Sequence, residues 1–169
     1  MVDENNGSGI TLIELIIVIS IIGVLVFALG FSFQDWNAAY KIESQIKEMH
    51  SDLMHARVMA MCKKRAHFVK LEATRYTIYE DTNPMPDGNN TLETAIDTLV
   101  SQKTPDYTIE FSLGFGDTQF RFDKDGSSSR NGRIRLVSTA SPDYDCIVLF
   151  STRINLGKWD AVNAKCNSK

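Results

Sequence analysis

From Ile10 to Phe33 the chain runs for 24 residues with a single charged side chain, Glu14. As a helix this block is about 36 Å long at the usual rise per residue, enough to cross a hydrocarbon core of about 30 Å with some tilt. A removable secretory signal has a basic start, a shorter apolar core and a small-residue cleavage site after that core. Here Met1 to Gly9 contains no Lys or Arg and carries Asp3 and Glu4, and the apolar run continues without an A-x-A-like end. The expectation is a membrane span over 10–33 that stays in the mature protein.

The helical pattern does not stop with the span. Ile42, Ile46, Met49, Leu53, Ala56 and Ala60 follow one another at spacings of four and three, one stripe of a helix. Met54, Val58 and Met61 widen the stripe, while Lys41, Glu43, Lys47, Glu48 and Asp52 take other faces. Lys63, Lys64 and Arg65 fall in the last turn, where cations suit the helix dipole. One helix from Ile10 to Lys64 is predicted, its first half apolar all round and its second half (34–64) amphipathic.

Beyond it the pattern changes to period two. His67–Glu72 and Arg75–Glu80 read as strands around Ala73-Thr74. Tyr107, Ile109, Phe111 and Leu113 alternate with polar residues, and so do Phe120 and Phe122, then Ile134 and Leu136. Cys146–Phe150 is a continuous apolar run, continued by Ile154 and Leu156. Residues 83–90 form a Pro- and Gly-containing loop, and one or two helical turns are predicted over Thr91–Val100. No linker separates helix from strands, so the amphipathic half must pack on the sheet. The fold class is therefore α+β: a long N-terminal helix on a small antiparallel sheet or sandwich, the β-domain spanning 65–169 and ending in a C-terminal tail.

Eighteen basic and 21 acidic residues leave a net charge of −3, too mild to make nucleic acid or an anionic surface the main partner. Three cysteines, Cys62, Cys146 and Cys166, show no zinc-site spacing. If the domain is exported, the expected bridge joins Cys146 to Cys166 and leaves Cys62 as a thiol; the alternative is three reduced cysteines. His50 and His55 lie five apart and share no ligand-forming face. Asp123-x-Asp125-Gly126 lacks the later ligands of a calcium loop and reads as a hairpin turn. The methionines of the stripe are gap-fillers against the sheet. No phosphate loop, nucleophile elbow or spaced carboxylate pair is present, so neither catalysis nor a cofactor or metal is expected.

The segment Ser8-Gly9-Ile10-Thr11-Leu12-Ile13-Glu14-Leu15 and the apolar run after it resemble the leader and membrane segment of type IV pilins and type II secretion pseudopilins. The resemblance implies that a prepilin peptidase removes residues 1–9 by cutting between Gly9 and Ile10, and that the new amine of Ile10 is methylated. It also implies that Glu14 pairs with the N-terminal amine of an adjacent subunit. Leu53-x-x-Ala56-Arg57-x-x-Ala60 followed by Val69-x-Leu71 is similar to a passage of the GspH/FimT family. Phe120 to Gly126 with Gly132 to Leu136 is similar to that family's "F-x-x-x-G … G-x-I-x-L" hairpin, and Ile147 to Ile154 to its closing strand.

These resemblances imply a minor pseudopilin near the tip of a type II secretion pseudopilus, or alternatively a minor pilin of a type IV pilus. The implied partners are other pilin or pseudopilin subunits, the prepilin peptidase, an inner-membrane assembly platform and the lipid bilayer. The implied location is the bacterial inner membrane, single-pass, with the C-terminal domain in the periplasm. The leader departs from the family in having no basic residue, so positive-inside bias does not orient the span. Thr152 stands where the closing strand has glycine. A DNA-uptake role would call for a Gly-Arg-x-Arg tail; the chain has Thr152-Arg153-Ile154-Asn155 at that place, and DNA is not an expected partner.

Overall fold

A computed structural model describes residues 10–85 and 88–169, the side chains of 28–34 and 115 excepted. The chain divides into two compact units, Met1–Asn37 and Ala38–Lys169. Helix α1, Leu12–Lys63, begins in the first and ends in the second. Among the described residues nine strands follow: β1 His67–Leu71, β2 Tyr76–Glu80, β3 Thr98–Lys103, β4 Ile109–Leu113, β5 Gln119–Phe122, β6 Gly132–Leu136, β7 Cys146–Leu149, β8 Ile154–Asp160 and β9 Lys165–Ser168. They form two antiparallel sheets, ordered β3-β2-β1-β5 and β4-β6-β7-β8-β9. The expected α+β class is what the chain adopts.

In the second unit α1 buries the stripe read from the sequence. Ile42, Ile46, Met49, Leu53 and Ala60 are fully buried and Ala56 nearly so. They join Val69, Leu71, Ile78, Phe120 and Phe122 of the first sheet and Ile109, Ile134, Leu136, Ile147 and Leu149 of the second in one core. Each large aliphatic side chain buried there contributes about 1.5–3 kcal/mol relative to exposure. Val58 is not part of the stripe: at 43% exposure it faces water. The helix ends where Lys64 takes a left-handed backbone, φ 57°.

The first hairpin turns at Ala73-Thr74 as expected, with Glu72 N–H donating to Arg75 O at 2.9 Å. Three expectations need correction. Over Thr91–Val100 there is one turn, closed by Asp97 N–H to Glu93 O at 2.8 Å, and then strand β3. That strand is an edge strand with most of its residues exposed, so no hydrophobic alternation marks it. Secondly, β5 and β6 do not form a hairpin. A tight turn at Asp123–Ser127 closes (Gly126 N–H to Asp123 O, 2.7 Å), and Phe122 bridges Ser128. The chain then crosses to the second sheet, where β6 pairs with β4 and β7. Thirdly, the C-terminal tail is itself strand β9, paired with β8.

Among the described residues no helix is long and apolar enough to cross a membrane. The part of the expected 10–33 span from 28 to 33 has side chains outside the described residues.

Candidate functional site

The first candidate is the start of α1. Thr11 stands at its N-cap: its Oγ1 accepts from Glu14 N–H at 3.3 Å and its carbonyl from Leu15 N–H at 3.1 Å. Thr-x-x-Glu is the sequence pattern of a capping box, and a carboxylate in the first turn favours the positive end of the helix dipole. Glu14 is therefore compatible with helix initiation whatever else it does. Ile10 lies just before the helix, exposed. Gly9, the other half of the expected cleavage pair, lies outside the described residues. From Leu12 to Phe27 every side chain of this unit is exposed, including Leu12, Ile13, Val24 and Phe27 at 67–75%. An apolar surface of that extent calls for lipid or other helices. Ser20, a polar residue within it, donates its hydroxyl to Ile16 O at 2.7 Å, so its donor does not need water.

In the second unit, the two family-like motifs meet. Arg57 donates from Nε to Gly126 O at 2.7 Å, joining the Ala56-Arg57 passage of α1 to the glycine of the Phe-x-x-x-Gly passage. Ala56 and Ala60 are small and buried, and Gly126 carries φ +82°. A Cβ at Gly126 would come within 2.6 Å of Met61 Sδ, so a larger residue would have to displace that side chain and would also be strained at this φ. Sequence reasoning missed this junction because the partners are 69 positions apart. The available signal was the pairing of a small-residue helix face with a lone turn glycine.

Charged groups fasten the other parts of the helix. Glu80, nearly buried, accepts from Lys63 at 2.6 Å and from Arg65 at 3.1 Å. Burial alone would raise its pKa, but these two cations hold it below the usual glutamate value. Tyr76 donates to Asp52 at 2.7 Å; burial, then this hydrogen bond, push its hydroxyl far up. His67 is fully buried beside this group, its Nδ1 3.2 Å from Arg65 O and its Nε2 unpartnered. Burial lowers its pKa, and the ring is neutral near pH 7. Two buried carboxylates anchor the long loop: Asp81 accepts from Asn89 and Asn90 N–H groups, and Asp97 from Thr82 and Glu93.

Cys146 and Cys166 are joined as a disulfide with their Cα atoms 6.1 Å apart, and Cys62 is a free, exposed thiol on α1. The bridge links β7 to β9 across the strand between them, at Gly157 of β8. A Cβ at Gly157 would lie 2.8 Å from Cys166 Sγ and 2.5 Å from Asn167 O. Glycine is required there for the bridge to cross. Of the histidines, His50 Nε2 lies 3.2 Å from Ile154 O, a contact within the domain. Among the described residues no group of three or more His, Cys, Asp or Glu is placed to hold a metal ion.

Two features stand out among the described residues: an unburied apolar stretch of α1 and a helix-on-sheets domain. The chain matches the family model of the type II transport protein GspH over residues 45–152 and that of the prokaryotic N-terminal methylation motif over residues 5–30. No curated protein matches it. Among solved structures, the minor pseudopilin EpsH from the type 2 secretion system of Vibrio cholerae is similar in fold. Its TM-score is 0.53 at 13% identity, over 70% of this chain and 97% of that one. The GspH match takes in Arg57, Gly126 and β1 to β7, most of the domain that α1 and the sheets build. By that extent the chain belongs to the type II transport protein GspH family, the minor pseudopilins of type II secretion.

Proposed function

We propose that the chain is a non-enzymatic subunit of a type II secretion pseudopilus, held in the inner membrane by residues 10–33 before assembly and presenting its β-domain to the periplasm. The observation that carries this reading is the exposed apolar surface from Leu12 to Phe27 inside a methylation motif. In the sequence Ala28 to Phe33 extends that stretch to a length that spans a bilayer. In this reading the prepilin peptidase cuts between Gly9 and Ile10 and the amine of Ile10 is methylated. An assembly platform in the inner membrane then moves the subunit from lipid into the filament, among other pseudopilins.

Glu14 is given the assembly role by cost. A carboxylate within a span costs about 2.5–3.5 kcal/mol at the bilayer centre and less toward an end. An N-terminal amine of a neighbouring subunit offsets that cost in a filament core, where an unpaired charge is expensive. Gly9→Val should leave the leader attached, because the small residue before the cut is gone. Glu14→Ala should mature to wild-type length, since the cleaved bond is untouched, yet lose assembly. Immunoblots of mature length together with crosslinking to other pseudopilins read both steps. Wild-type crosslinking by mature Glu14→Ala would remove the pairing role; cleavage of Gly9→Val would remove the processing site.

A further inference from the structure

The five-stranded sheet turns one face to the core and the other away from it. Alternation on β4 and β6 sets Glu110, Ser112, Arg133 and Arg135 opposite in direction to the buried Ile109, Ile134 and Leu136. Val148 pairs with Arg133 and shares this outer face, and the disulfide lies beside it. Trp159 belongs to it too: its ring is 4.2 Å from the Arg135 guanidinium and 5.4 Å from that of Arg133.

The two arginines differ in one respect. Arg135 has its own acid, with Nε and Nη2 donating to Glu110 at 2.7 and 2.5 Å. Arg133 has the indole and no carboxylate: among the described residues neither it nor Lys165 lies within ion-pairing distance of an acid. Together with Ser112, Gly132, Val148 and Cys166 these two cations line a cavity of about 290 Å³ that has no acidic lining residue. A second cavity of about 290 Å³ adjoins it, sharing Ser112 and Arg133 and lined also by Trp159 and by Glu110, whose carboxylate is already paired with Arg135.

A guanidinium resting on an indole is partly desolvated, yet the N–H groups in its plane stay free for a planar carboxylate. Trp and Arg are also the residue types that most often carry binding energy at protein interfaces. A basic, acid-free cavity is complementary to an acidic segment, and it stands out in a chain whose net charge is −3. Binding of a polyanion such as DNA draws on a run of phosphate contacts, and two cations in one short cavity do not supply one. On the reading of the chain as a pseudopilin, we infer that this face docks a carboxylate-bearing segment of a neighbouring pseudopilin subunit. Arg133 grips the carboxylate, Lys165 adds the second charge, and Trp159 with Val148 gives the apolar floor.

The test uses the full chain in a bacterial envelope carrying the secretion machine, with the photo-crosslinker benzoylphenylalanine placed at Val148. Mass spectrometry of the product should find a pseudopilin peptide containing Asp or Glu. Arg133→Glu combined with Lys165→Glu should cut the yield at least tenfold, and changing the captured carboxylate to Lys should restore it. Peptide mapping without reduction checks that the Cys146–Cys166 bridge survives in each variant. Unchanged yield after charge reversal, or a product formed only with nucleic acid or lipid, overturns the docking site. So does an absent product while a crosslinker at Leu25 of α1 still captures pseudopilins, and that result leaves the pseudopilin reading standing. Failure at both positions overturns both.

Discussion

His67 and Glu80 sit opposite each other on paired strands and respond to acid in different pH ranges. Burial keeps the folded-state pKa of His67 below its ordinary 6.5, with Glu80, Lys63 and His55 as the charged or titratable groups that face it. A depressed pKa means the unfolded chain binds the proton more readily. His67 therefore contributes stability that is complete above about pH 6.5 and is lost as pH falls through the folded value. Glu80, held down by Lys63 and Arg65, contributes above about 4.5 and loses it below. Asp81, pushed up by burial and by Asp97, works in the opposite direction in the acid range. Thermal melts across pH 7.5 to about 2.5 should fall in two stages, the first setting in below the histidine reference pKa and the second below the glutamate one. His67→Leu should flatten the first stage and Glu80→Gln the second. A single stage unaffected by His67→Leu would show that the buried ring does not titrate with unfolding. At Gly126 the cost is conformational: Gly126→Ala should destabilise by about 1–3 kcal/mol, because alanine is strained at φ +82° and its Cβ meets Met61. Denaturant midpoints measure it, and Arg57→Ala should add a separate loss of about 1 kcal/mol for the hydrogen bond to Gly126 O.

Elements differ in how much each owes to the core. Leu53→Ala in α1 should cost about 2–5 kcal/mol, since the residue is fully buried between helix and sheets. Val58→Ala, one turn further on, should stay within about 0.5 kcal/mol because that side chain faces water. Equal losses in denaturation curves would mean that the stripe is not the packing face. The β7–β8–β9 end of the second sheet depends on its disulfide. Closing a loop with a sequence separation of 20 restrains the unfolded chain, worth about 3 kcal/mol on the chain-entropy model. Reduction should lower the midpoint accordingly. Gly157→Ala should hinder formation of the bridge without touching either cysteine, which free-thiol titration would register as three reactive thiols in place of one.

The whole molecule joins two solvents in one chain. Its first unit exposes apolar side chains and its second buries them, so removal of residues 1–37 should leave a soluble domain with a cooperative melt. A non-cooperative or insoluble product would place the boundary elsewhere. Much of this plan was legible in local pattern. The apolar block, the helical stripe from Ile42 to Ala60 and the Ala73-Thr74 hairpin each repeat over a few residues, so burial of one face leaves a periodic trace. The Thr11-to-Glu14 signature needed no fold at all. Edge strands β3 and β9 left little trace, because residues facing water on both sides need not alternate. The assignment of β5 to one sheet and β6 to the other, the Arg57–Gly126 junction, the crossing of the disulfide over Gly157 and the acid-free cavity at Arg133 depend on pairings between distant segments. Local spacing by itself carries no information about which strand lies beside which, since register and sheet order are selected by the packing of the whole core.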